Sequence, residues 1–200
     1  MSSPLDIQQG FPDAARHQIA VLYDAAFGAK LGIAIPDAKL RLQILAEAFD
    51  PSHAFVAISG TQILGVAGFK SRHSSLTVGI SSSLLRKRLG LFGWLRALSI
   101  LALFERKLGP DQLLMDGLCV APEARGSGIG SQLLDRLKQF AAEEGYRTIR
   151  LDVIDTNPGA RRLYERLGFV PRTSTHFAYL RWLLGFSAAT TMEYRLAPAA

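Results

Sequence analysis

A basic, glycine-rich turn follows an apolar run in Leu118-Cys-Val-Ala-Pro-Glu-Ala-Arg-Gly-Ser-Gly-Ile-Gly130, and it opens directly into a helical pattern over residues 131–144. Glycines remove side-chain bulk, so consecutive backbone N–H groups can converge on one point, and the helix that follows adds its positive end. Arg125 supplies a full charge beside those dipoles, and the occupant that suits Arg125, Gly126, Ser127, Gly128, Ile129, Gly130 and Ser131 is a phosphate or pyrophosphate. A Walker loop would need Gly-Lys-Ser/Thr at the helix start, where this chain has Gly-Ser-Gln. A dinucleotide fingerprint would need G-x-G-x-x-G, where this chain has G-x-G-x-G. Taken alone, the turn could equally be a helix cap and nothing more.

A second motif lies downstream. After a strand-like run at residues 148–154 comes Asn157-Pro-Gly-Ala-Arg-Arg-Leu-Tyr164-Glu-Arg-Leu-Gly-Phe169. Arg-Gly-x-Gly-x-Gly after a strand, followed in order by Asn-x-x-Ala-x-x-x-Tyr-x-x-x-Gly-Phe, resembles the Gcn5-related N-acetyltransferases over roughly residues 115–171. The resemblance implies acetyl-CoA as cosubstrate, with the pyrophosphate held by the glycine loop and the pantetheine arm held against the backbone of Leu118, Cys119 and Val120. Asn157, Arg161 and Tyr164 would complete the cofactor site.

Acyl transfer from a thioester to an amine needs a grip on the cofactor, stabilisation of the carbonyl oxygen as it gains charge, and a proton for the departing thiolate. Tyr164 stands where the family places its general acid. A phenol of pKa ~10 protonating a thiolate of conjugate-acid pKa ~8.5 is uphill by about 2 kcal/mol, a cost that cations such as Arg161 or Arg162 could offset. Asn157 before Pro158 is also a strong helix N-cap, compatible with a cofactor contact. For the general base, Asp116 is the best-placed carboxylate, read by simple alternation as lying on the strand face of Leu118, while His73 and His176 have better-matched pKa values. Cys119, read in register with Met115 and Gly117, is expected to be a small strand residue and not a nucleophile. No His/Cys grouping has metal-ligand spacing, so no metal is expected.

Around these residues the chain reads as two N-terminal helices, beginning at Pro12-Asp13 and Pro36-Asp37, a thin first strand near residues 5–11, and a hairpin of residues 54–59 and 63–70 about Gly60-Thr-Gln. The resemblance implies an α/β (α+β) fold: a mixed, mostly antiparallel twisted sheet of six to seven strands flanked by helices. One domain is expected over residues 1–200. Its parts are N-terminal helices and first strands (1–75), an apolar basic insertion between the third and fourth strands (76–110), an acetyl-CoA-binding core (111–171) and a C-terminal hairpin (172–200).

The insertion departs from the family pattern. Leu91, Phe92, Trp94, Leu95, Leu98, Ile100, Leu101, Leu103 and Phe104 cover most of a helix circumference, leaving a narrow polar line through Gly93, Arg96 and Ser99. Such a helix is expected to be buried on nearly every side. Its uncharged runs are far shorter than the roughly 20 residues a transmembrane helix needs. A second apolar stretch covers residues 177–184. An enlarged core is the favoured reading; a homodimer interface, an apolar acceptor pocket and a basic surface touching anionic lipid are the alternatives.

An apolar content of 48% with 20% charged residues is globular. The net charge of +6 is concentrated in residues 84–108, where Arg86, Lys87, Arg88, Arg96, Arg106 and Lys107 face Glu105 alone, so no nucleic-acid-binding face is expected. One cysteine and no leader pattern point to the cytoplasm. The expected activity is acetyl transfer to a primary amine of a small molecule or peptide, the apolar insertions favouring a lipophilic acceptor. A CoA-binding sensor or scaffold that holds a partner with its apolar arms is the alternative.

Overall fold

The computed structural model describes residues 4–102, 108–176 and 185–197. Strand β1 (Leu5–Gln9) leads into helices α1 (Arg16–Ala34) and α2 (Ala38–Ala48), followed by the hairpin of β2 (Ala54–Ser59) and β3 (Gln62–Lys70). Helix α3 (Ser82–Ala102) precedes β4 (Gln112–Val120), α4 (Ile129–Glu143), β5 (Thr148–Ile154), α5 (Pro158–Arg166), β6 (Val170–His176) and β7 (Ala188–Arg195). The seven strands form one sheet in the order β1-β2-β3-β4-β5-β7-β6, antiparallel throughout except for β4 and β5. This is the expected fold class, with a helix between the third and fourth strands.

Local chemistry sets the element ends. Pro36 cannot extend α1, and the Asp37 side chain accepts a hydrogen bond from the Leu40 N–H at 3.0 Å to start α2. The two helices are locked by a largely buried fork. Arg41 donates through Nε to Asp24 Oδ1 at 2.6 Å and through Nη2 to Asp24 Oδ2 at 2.9 Å, and its Nη1 reaches the Ile35 carbonyl at 2.7 Å.

The sheet is covered on both faces. Phe55, Ala57, Ala67, Phe69, Leu113 and Met115 pack against Leu133, Leu134, Leu137 and Ala141 of α4, and Tyr164 and Phe169 join the same cluster. Ala54, Val56, Val66 and Cys119 turn the other way, onto Ile19, Ala20 and Tyr23 of α1 and Leu45 of α2.

Two irregularities in β4 decide what the sheet can do. The first is a bulge. Gly68 pairs with Gly117 and Phe69 with Met115, so Asp116 is an extra residue in β4. The second is a parting. β4 pairs with β5 only through Gln112, Leu113 and Leu114, whereas its pairing with β3 runs on to Val120. From residue 115 to 120 the β5-facing edge of β4 therefore has no strand beside it among the described residues.

The insertion helix corrects the expectation of burial on nearly every side. Leu85 and Ala97 are buried against Ala34, Ile35 and Ile44, with Leu84, Leu89, Trp94 and Leu98 partly covered. Leu91, Phe92 and Leu95 face solvent. The cause is Gly90, whose φ of 68° breaks the helix and redirects its second half. Residues 103–107 and the second apolar stretch, 177–184, lie outside the described residues.

Candidate functional site

Each part of the site follows from the two irregularities and the loop beyond them. The Ala121 N–H donates to the Leu64 carbonyl at 2.8 Å. By the alternation of an antiparallel ladder, Cys119 also directs its backbone groups to β3, while those of Leu118 and Val120 point into the opening beside β5. Backbone donors and acceptors thus line one wall of a cleft.

The loop continues from that wall. Pro122–Ala124 forms a single 3₁₀ turn, and Gly128, at φ 87°, takes the left-handed conformation that lets the chain reverse into α4. The amides of Gly126, Ser127, Gly128, Ile129 and Gly130 donate to no acceptor among the described residues. Five free N–H groups at the start of a fifteen-residue helix make an anion cradle. Ser131 fits it less fully than expected, since its amide is committed to the Gly128 carbonyl at 3.0 Å and only its hydroxyl remains. The Ser127 hydroxyl donates back to the Ala124 carbonyl at 2.6 Å, so Ser127 offers its backbone. Arg125 folds over the end of β4, its Nε donating to the Val120 carbonyl at 3.3 Å.

Helix α5 forms the facing wall. Asn157 caps it as expected, its Oδ1 accepting from the Ala160 N–H at 3.1 Å, which leaves Nδ2 without a partner among the described residues. A side chain at position 130 would stand 3.4 Å from Leu163, 3.7 Å from Val120 and 3.8 Å from Leu118, so loop, strand and helix converge there. Tyr164 is 6% exposed, and nothing among the described residues exchanges a hydrogen bond with its hydroxyl. Burial, and then the neighbouring Cys119 thiol, push its pKa above the ordinary phenol value. Neither Arg161 nor Arg162 is among the causes of that shift. Arg161 is engaged with Glu165 at 2.9 Å on the outer face of α5, and burial dominates.

Burial also pushes the Cys119 thiol up, with the nearby Arg125 guanidinium pulling in the opposite direction. That is the environment of an inert core thiol, as its sequence context implies. Its register differs from the simple alternation, because the bulge puts Met115 with Leu118 and Val120 on the α4 side and leaves Cys119 on the α1 side.

Asp116 moves for the same reason. It lies on the α1 side of β4 and not on the face of Leu118. Burial raises its pKa, against the Thr77 hydroxyl, which donates to Oδ2 at 3.3 Å, and the charges of Lys30 and Lys70. Tyr23 stands close enough for Asp116 to raise its pKa, after the larger effect of its own burial. A side chain at position 117 would stand 2.7 Å from the Phe27 ring. Tyr23, Thr77 and Lys30 therefore stand around Asp116, with Phe27 over the next residue, Gly117, and none carries a sequence signal beyond helix periodicity or a place in the insertion. His73 sits on the turn after β3 and His176 ends β6, both exposed and neither hydrogen-bonded through its ring among the described residues.

A family model described as the acetyltransferase (GNAT) family matches residues 18–169. Among curated proteins, the probable N-acetyltransferase family 8 member 5 of Mus musculus is 34% identical over 82 residues, 40% of this chain and 36% of that protein. The thialysine N-epsilon-acetyltransferase of Bos taurus is 38% identical over 56 residues, 28% of this chain and 33% of the relative. The chain thus spans about a third of the length of these relatives. Among solved structures, a GCN5-related N-acetyltransferase from Kribbella flavida superposes with a TM-score of 0.64 at 21% identity, covering 96% of this chain and 98% of that one. The structure of yncA from Salmonella typhimurium with its cofactor acetyl-CoA does so with a TM-score of 0.57 at 17% identity, covering 99% and 97%. At such identities the likeness concerns the fold.

Proposed function

Since the chain belongs to the acetyltransferase (GNAT) family, we propose that it moves an acetyl group from acetyl-CoA to a primary amine. One observation carries this reading: the parting of β4 from β5 leaves the backbone groups of Leu118 and the N–H of Val120 without a strand partner, beside the free amides of residues 126–130. A pyrophosphate suits the amides, and an extended, amide-bearing chain suits the strand edge. The residues present fit CoA, whose acetyl thioester supplies the activated acyl group when bound.

The protein's own groups then have distinct tasks. The amides of Gly126 to Gly130 hold the diphosphate, and Arg125 adds charge nearby. The Asn157 Nδ2 is a donor into the cleft. The backbone N–H of Leu118 or Val120 stabilises negative charge growing on the carbonyl oxygen. The Tyr164 hydroxyl delivers a proton to the departing sulfur. A phenol pushed up by burial looks a poorer acid, but the same surroundings push up a thiol, as Cys119 registers. Donor and acceptor therefore shift together, and the mismatch of about 2 kcal/mol between free groups need not widen.

Across β4, Asp116 is the carboxylate for the incoming amine. Its raised pKa narrows the gap to an ammonium, and Tyr23 and Phe27 give the acceptor an apolar wall. The test is release of CoA from acetyl-CoA in the presence of a panel of primary amines, graded from hydrophilic to lipophilic. Acetylated amine and free CoA in equal amounts are the expected products. Tight CoA binding with no amine consumed would sink the transfer reading and leave a CoA-binding protein.

A further inference from the structure

The second half of α3, from Leu91 to Ala102, turns the wrong face to water for a soluble helix. Phe92, Leu95, Arg96 and Ser99 stand at i, i+3, i+4 and i+7 on one exposed side, with Leu91 beside them. Phe92 is 87% exposed, and Leu91 and Leu95 are each 49% exposed. Single exposed apolar residues are ordinary, but three adjoining ones on the outer side of a helix whose inner side is packed are not.

Arg86 and Arg96 border this patch, and Lys87 follows Arg86 on the exposed side of the same helix. Arg86 lies with its guanidinium carbon 5.4 Å from the centre of the Trp94 ring, which pins it next to the apolar residues, and Trp94 is fixed in turn by its Nε1 donating to Ser82 at 2.8 Å. Arg86, Lys87 and Arg96 have no carboxylate partner among the described residues. Arg88 does have one, Glu47, reached by its Nε at 3.1 Å. An apolar wedge rimmed by cations that no described carboxylate neutralises is complementary to a surface with an apolar interior and an anionic skin.

We propose that α3 docks this protein on an anionic phospholipid bilayer, with Phe92, Leu91 and Leu95 inserted at the headgroup boundary and Arg86, Lys87 and Arg96 at the phosphates. The inner face of the helix, built on Leu85 and Ala97, is already committed to α1 and α2, so insertion requires no unfolding. A second copy fits the patch less well. A two-fold contact would set the cations of each copy against those of the other. The inference is independent of the acyl-transfer reading, and its test uses no substrate.

The experiment is flotation of the full chain with vesicles of phosphatidylcholine alone or with about 30 mol% phosphatidylglycerol, at low and high salt, alongside light scattering. Flotation with the anionic vesicles alone, weakened by salt, is expected. Phe92→Asp should cut partitioning about tenfold or more, and Lys87→Ala about fivefold. Because Phe92 is exposed, the thermal midpoint of Phe92→Asp should match the parent, which separates lost docking from lost folding. Absence of flotation with anionic vesicles would overturn the proposal, as would partitioning unchanged in Phe92→Asp. A solution dimer that Phe92→Asp dissolves, with no vesicle binding, would assign the patch to a second copy instead.

Discussion

Two acids of opposite character stand on the two sides of β4, Tyr164 buried and Asp116 half-buried, and each makes a separable prediction. Tyr164 is neutral when protonated, and burial holds its pKa above the phenol range, as burial and Asp116 do for Tyr23. Tyr164→Phe removes only the hydroxyl and keeps the buried ring, so kcat should fall about 10²–10⁴-fold with the thermal midpoint nearly unchanged. Unchanged turnover would leave Tyr164 as a packing residue. The linkage sign follows from the raised pKa values. Below about pH 10 both states hold these protons, and above it the unfolded chain ionises first, so stability falls with rising pH. A denaturation series through the alkaline range should show that loss, and Tyr164→Phe should lessen it. Asp116 behaves differently because the role of base proposed for it needs the charged form. Its folded pKa is raised, so stability falls as pH rises through the window above the ordinary carboxylate value near ~3.9 and stays lower beyond it. Asp116→Asn keeps an oxygen to accept from Thr77 and removes the half-buried charge. It should therefore raise the unfolding midpoint at neutral pH while lowering kcat about 10²-fold or more. An unimpaired rate would acquit Asp116 of the role of base.

At the scale of elements, the loop between β4 and α4 depends on a backbone conformation that side chains resist. Alanine at position 128 would have to hold a φ of 87°, at a cost of about 1–2 kcal/mol. Gly128→Ala should lower the thermal midpoint by a few degrees and weaken CoA binding by a larger factor than that strain alone, because the free amides on either side are displaced together. Calorimetric titration with CoA measures this directly, and a Kd equal to the parent's would mean that the cradle is not the pyrophosphate site. This loop, its helix and the capped α5 are all legible in the chain, since glycine, proline and asparagine act locally and hold much the same meaning in any surroundings. The bulge is not legible. Nothing in Met115-Asp-Gly117 says which residue is extra; that is set by the register with β3, where Leu76 from the insertion packs over Gly68, a neighbour eight residues away in sequence. The alternation rule consequently puts Asp116 on the wrong face. The same limit applies to α3. Its apolar residues state a preference for burial without naming a partner, and the break at Gly90 decides which of them find one within the chain.

For the whole molecule, the parting of β4 from β5 divides the sheet into two unequal parts. The strands β1 to β4 are clamped between α1, α2 and α4, while β5, β7 and β6 continue past an opening joined across the sheet by three paired positions. A ligand that fills the opening pairs with one edge and packs on the other, so its binding energy becomes stability of the junction. At about 100 times its Kd, CoA should stabilise the fold by about 2.7 kcal/mol, which for a chain of this size raises the midpoint by roughly 5–10 °C. Hydrogen exchange places the effect. The amides of Leu118 and Val120 face the opening, so they should exchange fast in the free protein and become protected by CoA, together with the loop amides of residues 126–130. Exposed amides of α3, remote from that cleft in the fold's connectivity, should keep their rates. Protection confined to α3, with none at Leu118 or Val120, would place the ligand away from the cleft and remove the observation on which acyl transfer rests. Protection at the cleft that vesicles leave unchanged, with vesicles shielding α3 alone, would instead show two surfaces acting independently, one holding the acyl donor and the other fixing where in the cell the acceptor is met.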